Sequence, residues 1–378
     1  MTMVPILKNE LEVGMIVPWA VFDGRGWLLL QAGATVASAR QLEALVLRGV
    51  YRLEDNDGRR SYVESENADQ RSESDFGSPF ERLDSIIMRI PGIFRSALER
   101  QPQAGERLRR LAGDLRRLYA EYPDAMLGAV HLTHEYEYPV CHPVHCVFLC
   151  EMMAHAFGYD EARAESLAAA ALSQNISMLR LQTRLHNQAK PLTEEQRHQV
   201  DEHPEQTVKL LRDIGVDDSV WLLAVAQHHE RFDGKGYPYG LEGMAISQEA
   251  QIIAISDRYA ALISSRGYRD GMTAKEGLRD IYLSQDKGYA SAFTQRFIRE
   301  IGVYPPGSFV KLANGEVGIV VKRGRSSLKP VVSSYIGPRG APLPRPFRRD
   351  TGQLAYEVKG TCKPDLNYPV NLSKIWSV

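Results

Sequence analysis

The chain changes its hydrophobic pattern three times. VGMIVPWAVFD (13–23) and GWLLLQAGATV (26–36) run or alternate apolar on either side of a DGRG turn at 23–26, which predicts a β-hairpin. Residues 39–49 follow with helical spacing and stop on Gly49. From 54 to 79 the branched apolar residues nearly vanish, and EDNDGRRSYVESENADQRSESDFGSP reads as a polar linker. Helical periodicity then dominates from 80 to 304. Residues 83–95 and 105–119 are amphipathic, 142–157 is apolar with small residues, and 160–176 is alanine-rich. A TEEQ capping box opens a helix at 193–214, and 217–229, 248–264 and 273–283 complete the set. After Pro305 and Pro306 the pattern flips again. GSFVKLANGEVGIVVKRG reads as strand, turn at Asn314-Gly315, strand, and VVSSYIG and LAYEVKG continue in kind. The expected fold is mostly α, a helical-bundle core at 80–304. A small β-rich module (1–53) with its linker (54–79) flanks it on one side, and a small β unit (305–378) on the other, read as a cap packed on the helices. No internal repeat is visible.

Composition narrows the chemistry. With 46 basic and 47 acidic residues the net charge is −1, so an anionic ligand must be held by local geometry rather than by a global field. That argues against a nucleic acid polymer as partner. MTMVPILKNELEVG lacks a basic n-region and an adequate apolar core, and 15–37 carries Asp23 and Arg25 among glycines. The expectation is a cytoplasmic protein without membrane insertion. Of four cysteines, Cys141, Cys146 and Cys150 crowd one helical stretch, which suits buried free thiols better than disulfides or a soft-metal site.

The densest chemical signal is HHERFDGKGYP at 228–238: paired imidazoles at a helix end, an acid, and a glycine-rich loop. Metal-dependent phosphoester hydrolysis needs imidazole and hard oxygen ligands converging from several helices. Other candidates are His142, His145, His155, His203 and Asp257. His203 precedes Pro204 in DEHPEQTVKLL, which reads as a histidine at the mouth of a helix. Asp257 is a lone acid in IIAISDRYAALI, and a buried carboxylate calls for a cation or several donors. His145 and His155 each read as a packing or surface residue.

In order and spacing, HPVH (142–145), EHPEQ (202–206), HHERFDGKGYP and SDRYAALISSRGYR (256–269) resemble the HD-GYP family. These are bacterial cyclic di-GMP phosphodiesterases on a helical HD phosphohydrolase fold, and the resemblance spans about 125–300. The flanking β-rich pieces are similar to the family's as well. The resemblance implies His142, His203, His228, His229 and Asp257 as ligands of a divalent metal (Fe, Mn or Zn). It implies Asp233, Gly234, Gly236, Tyr237 and Pro238 as the nucleotide-binding loop, with Arg266 and Arg269 facing a phosphate.

One part of the family's pattern is missing. The His-Asp pair should fall about 31 residues after the first histidine, within A-L-L-H-D-I-G-K, yet residues 170–178 read AALSQNISM. Ser173 and Gln174 replace the pair, and Ser177 replaces the lysine. Gln174 offers no negative charge to bridge two cations, and a serine hydroxyl is a poor ligand. The expectation is one ion or none, held by the three histidines 203, 228 and 229. It follows that the chain binds cyclic di-GMP, or a partner of the signalling pathway, with absent or strongly reduced phosphodiesterase activity. The alternative is a phosphodiesterase working with a mononuclear three-histidine site, and a bland scaffold is a third reading. A homodimer stays open.

Overall fold

The computed structural model describes residues 2–24, 28–54, 78–264, 271–365, 367–368 and 370–376. The expected linker falls almost wholly on 55–77, outside the described residues, as do Arg266 and Arg269.

At the N-terminus β1 (Thr2–Pro5), β2 (Val21–Asp23), β3 (Leu28–Leu30) and β4 (Val50–Glu54) form an antiparallel sheet in the order β1-β4-β2-β3. The expected hairpin is β2–β3. Helix α1 (Ala39–Arg48) starts where the Ser38 hydroxyl accepts the Gln41 N–H and ends at Gly49, whose φ of 73° admits glycine readily.

The helical core comprises α2 (Pro79–Ile87), α3 (Ile90–Leu98), α4 (Ala104–Glu121), α5 (Pro123–Leu132), α6 (Tyr138–Phe157) and α7 (Glu161–Ser173). It continues with α8 (Leu179–Asn187), α9 (Glu194–Asp213), α10 (Ser219–Gln227), α11 (Gln248–Ile263), α12 (Ala274–Leu283) and α13 (Ser291–Ile301). The single helix expected at 83–95 is two, because Pro91 has no N–H to continue a ladder and sits in the first turn of a new helix. Helix α5 escapes a periodicity reading because it is buried on nearly every side. Helix α6 begins a turn earlier than expected, with Pro139 in its first turn and Pro143 inside it. It is also long and apolar enough to cross a membrane by length and composition, but most of it is buried within the fold. The Thr193–Gln196 capping box is present. Ala168, Ala169, Ala170 and Ala171 are all fully buried, so α7 approaches its neighbours α6, α10 and α4 closely.

After α13 come β5 (Phe309–Leu312), β6 (Val317–Lys322), β7 (Val331–Ile336), β8 (Pro342–Asp350) and β9 (Val358–Thr361). They form an antiparallel sheet in the order β8-β7-β6-β5-β9, followed by α14 (Leu372–Trp376). Strand β8 was not expected, because Pro342, Pro344 and Pro346 argue against a strand. It lies at the sheet edge, where a missing N–H breaks no ladder bond. The β unit packs on the core at α5: a Cβ on Gly128 would come within 2.6 Å of the Trp376 ring, and one on Gly307 within 2.8 Å of the Gly128 carbonyl. Trp376 also meets Phe80 edge-on, ring centroids 5.0 Å apart.

Helix α1 is tied to the rest of the fold by two half-buried arginines. Arg48 pairs with Asp23, Asp84 and Glu135, while Arg40 donates to the carbonyls of His131 and Ile263. Ile263 ends α11, the helix that carries Asp257.

Candidate metal centre

His203 does not stand at a helix mouth. It lies inside α9, with Pro204 following it in the helix interior. The proline has a specific local effect. Residue 204 would normally donate its N–H to the carbonyl of Val200, and a proline cannot. That freed carbonyl accepts the His203 Nδ1–H instead, at 2.6 Å. His228 sits just past the end of α10, where the Val225 carbonyl lacks a helical donor, and its Nδ1–H fills the place at 2.7 Å. Both rings are thereby held with Nε2 bare. The two Nε2 atoms face each other at 3.2 Å. Two lone pairs directed at one point repel unless a cation or a proton lies between them, and His229 brings a third ring nitrogen within 4.8 Å.

Burial, reinforced by the neighbouring His228, pushes His203 down to about 3. Burial and the same crowding hold His229 well below the ordinary imidazole value, and burial lowers His228. All three are therefore neutral at pH 7, the form a metal requires.

A second group adjoins the first. His142 Nε2 lies 2.8 Å from Asp257 Oδ1, and Cys146, one turn further along α6, puts its Sγ 3.6 Å from the same nitrogen. Burial alone would raise the Asp257 carboxyl, but the His142 hydrogen bond and the imidazoles around it hold it well below the usual carboxylate range. The Asp257 charge also acts on His203, His228 and His229, so the two groups are electrostatic neighbours. His228 is buried, whereas His229 and Asp257 are half-buried.

The residues replacing the His-Asp pair and the lysine have other partners. Ser173, at the end of α7, donates to the Ala169 carbonyl (2.7 Å) and accepts the Trp221 indole N–H (2.8 Å). Gln174 donates its amide to Asp257 Oδ1 at 3.3 Å. Ser177 donates to the His203 carbonyl (3.1 Å) and exchanges a hydrogen bond with Thr207 (2.8 Å).

The loop after His229 is shaped by close backbone packing. A Cβ on Gly236 would fall 2.4 Å from the Arg231 nitrogen and 2.5 Å from the Glu230 Cα, and Gly234 has φ of 71°. The buried Glu230 carboxylate accepts the Tyr239 and Leu241 N–H groups at 2.6 and 2.9 Å, closing the loop. Asp233 forms a two-point pair with Arg231 (3.0 and 2.8 Å), which holds its carboxyl near 2. Tyr237 stacks on His229 with centroids 4.7 Å apart, and Pro238 follows it through a cis peptide.

The sequence suggests His142, His203, His228, His229 and Asp257 as ligands, and the fold gathers them into two groups, His203 with His228 and His229, and His142 with Asp257. Sequence reasoning missed Cys146, set aside as a packing thiol. The available signal was helical spacing, since positions 142 and 146 share a face. All four cysteines are free, as expected. His145 is buried against His134, and His155 is exposed.

The chain is similar to known proteins. The HD_5 family model, described as an HD domain, matches residues 106–291. The cyclic di-GMP phosphodiesterase PA4108 of Pseudomonas aeruginosa is 30% identical over 59% of this chain and 54% of its own length. The cyclic di-GMP phosphodiesterase PdeB of Borreliella burgdorferi is 24% identical over 53% of this chain and 52% of its own. The 3′3′-cGAMP-specific phosphodiesterase 1 of Vibrio cholerae is 30% identical over 40% of this chain and 35% of its own. The chain thus spans about half or less of the curated relatives it matches. With HHERFDGKGYP, the histidine cluster and the helical core in place, the chain belongs to the HD-GYP family of HD-domain proteins.

Proposed function

We propose that the chain binds a cyclic dinucleotide of the cyclic di-GMP type in a metal-containing pocket and hydrolyses it at a strongly reduced rate or not at all, acting as a sensor in bacterial signalling. The observation that carries this reading is the fate of the replaced pair. Ser173 is turned to Trp221, Ser177 to α9, and Gln174 donates an N–H to Asp257 where the family has a bridging carboxylate. A divalent ion held by His203, His228 and His229 would polarise a phosphate oxygen of the ligand. Tyr237 shields His229 from one side, and Arg266 and Arg269, which follow the Asp257 helix in sequence, are assigned to the phosphates by the family pattern. Asp233, Gly234, Gly236 and Pro238 set the course of the loop that carries Tyr237. Without a bridging carboxylate and the lysine, charge developing in the transition state lacks two stabilising groups, each worth about 10²- to 10³-fold in rate. The flanking units, about 1–53 and 305–378, are the routes by which binding reaches a partner.

A mononuclear phosphodiesterase is the second reading, favoured by the converging Nε2 atoms of His203 and His228. One experiment separates the two. Metal-loaded full-length protein is titrated with cyclic di-GMP and with 3′3′-cGAMP, and each mixture is then resolved by chromatography. Saturable binding with intact nucleotide supports the sensor. Multiple turnovers support the enzyme, and no binding of either nucleotide refutes both.

A further inference from the structure

We propose that His142, Cys146 and Asp257, with the Gln174 side-chain oxygen as fourth donor, form a zinc-selective site in which a thiolate from α6 replaces the ligands lost with the His-Asp pair. This deepens the proposed function by specifying a second ion in the same pocket, and it is tested without nucleotide.

The geometry comes first. With zinc–sulfur and zinc–nitrogen bonds of about 2.3 and 2.05 Å, a tetrahedral ion sets its sulfur and nitrogen ligands about 3.6 Å apart. The Cys146 Sγ to His142 Nε2 separation is 3.6 Å. A tetrahedral ion also needs nitrogen and oxygen about 3.3 Å apart. His142 Nε2 and Asp257 Oδ1 are 2.8 Å apart, so insertion of an ion requires the half-buried carboxylate to recede by about 0.5 Å.

The second observation is Gln174. It is 1% exposed, and its Oε1 finds no hydrogen-bond partner while its Nε2 reaches Asp257 Oδ1. The amide also reaches the Cys146 thiol. Turning the amide over exchanges oxygen for nitrogen at that place. An oxygen facing a carboxylate and a thiolate is favourable only with a cation between them, and the turned amide then supplies the fourth ligand.

The donor set decides which ion. A thiolate, an imidazole and a carboxylate suit zinc, whereas magnesium and manganese favour oxygen-rich sites. The three-histidine group carries no thiolate and does not share this selectivity.

Cobalt(II) is the probe, since a thiolate ligand gives a charge-transfer band in the near ultraviolet that imidazole and carboxylate ligands do not. Chelator-stripped full-length protein is titrated with Co²⁺ and then displaced with Zn²⁺. The expected result is the band in wild type, its loss in Cys146→Ser with one fewer ion bound, and its retention in Cys150→Ser and in His203→Ala. A variant with Cys141, Cys150 and Cys362 all changed to serine keeps the band, which covers the case in which Cys146→Ser does not fold. No band in cobalt-loaded wild type, or a band surviving in folded Cys146→Ser, overturns the inference. Neither result bears on nucleotide binding, whose failure would appear only in the cyclic di-GMP and 3′3′-cGAMP titrations.

Discussion

Replacing Gln174 with aspartate should make the stability of the protein depend on a divalent metal. In the native chain the Gln174 amide donates to Asp257 Oδ1 at 3.3 Å. The shorter aspartate sets a second carboxylate at about 4 Å from the first, and at that distance two like charges repel by about 4 kcal/mol at an effective dielectric near 20. Loss of the amide hydrogen bond adds about 1 kcal/mol. For a domain of this size 1 kcal/mol corresponds to about 2–4 °C, so Gln174→Asp should melt roughly 10–20 °C below wild type in chelator at pH 7.5. A divalent ion at a hundred times its Kd then returns about 2.7 kcal/mol, or roughly 5–11 °C, by binding between the carboxylates. The assay is thermal unfolding of both proteins with chelator and with saturating Mn²⁺, the ion that favours the added carboxylate oxygens. A variant that melts like wild type in chelator, or that gains no more from metal than wild type does, would refute the placement of Gln174 against Asp257.

Three further outcomes follow from the same geometry. Ser173→Ala orphans the fully buried Trp221 indole N–H, so urea unfolding should show a loss of about 1–3 kcal/mol with a shift in tryptophan emission; an unchanged midpoint would contradict the hydrogen bond. Gly236→Ala drives a Cβ into the Glu230–Arg231 backbone, so it should displace His229 and weaken metal binding in a chelator competition at least tenfold, while a bound-metal affinity equal to wild type would mean the loop course is wrong. His203, held at about 3 when folded against 6.5 when unfolded, contributes stability that is present above pH 6.5 and lost as pH falls below it. Between pH 6 and 4 the metal-free wild type should therefore lose about 1.4 kcal/mol more per pH unit than His203→Gln, and parallel curves for the two would refute the neutral buried ring.

Much of the site was legible in the residues themselves, because HHERFDGKGYP and the His-Pro pairs are local patterns whose chemistry depends on short spacings. The helical core followed from periodicity wherever a helix keeps a polar face, as α4, α9 and α12 do. It failed for α5, whose burial on nearly all sides erases the period. Pro204 was misplaced because a proline in a helix is read most simply as a start. Its role inside α9, freeing the Val200 carbonyl for His203, depends on a side-chain hydrogen bond that no residue pattern announces. Strand β8 was hidden for a related reason: its prolines forbid a central strand, and only the sheet order shows that it lies at the edge. Cys146 was dismissed because helix thiols are common in cores. What distinguishes it is the arrival of Asp257 from α11, more than a hundred residues away in sequence.

The most direct test of the central claim is equilibrium binding of cyclic di-GMP to Mn²⁺-loaded full-length protein, with the nucleotide recovered and identified from the same mixture. The account predicts saturable binding with the nucleotide returned intact after many hours. Linearised or cleaved nucleotide in many-fold molar excess over protein would contradict it.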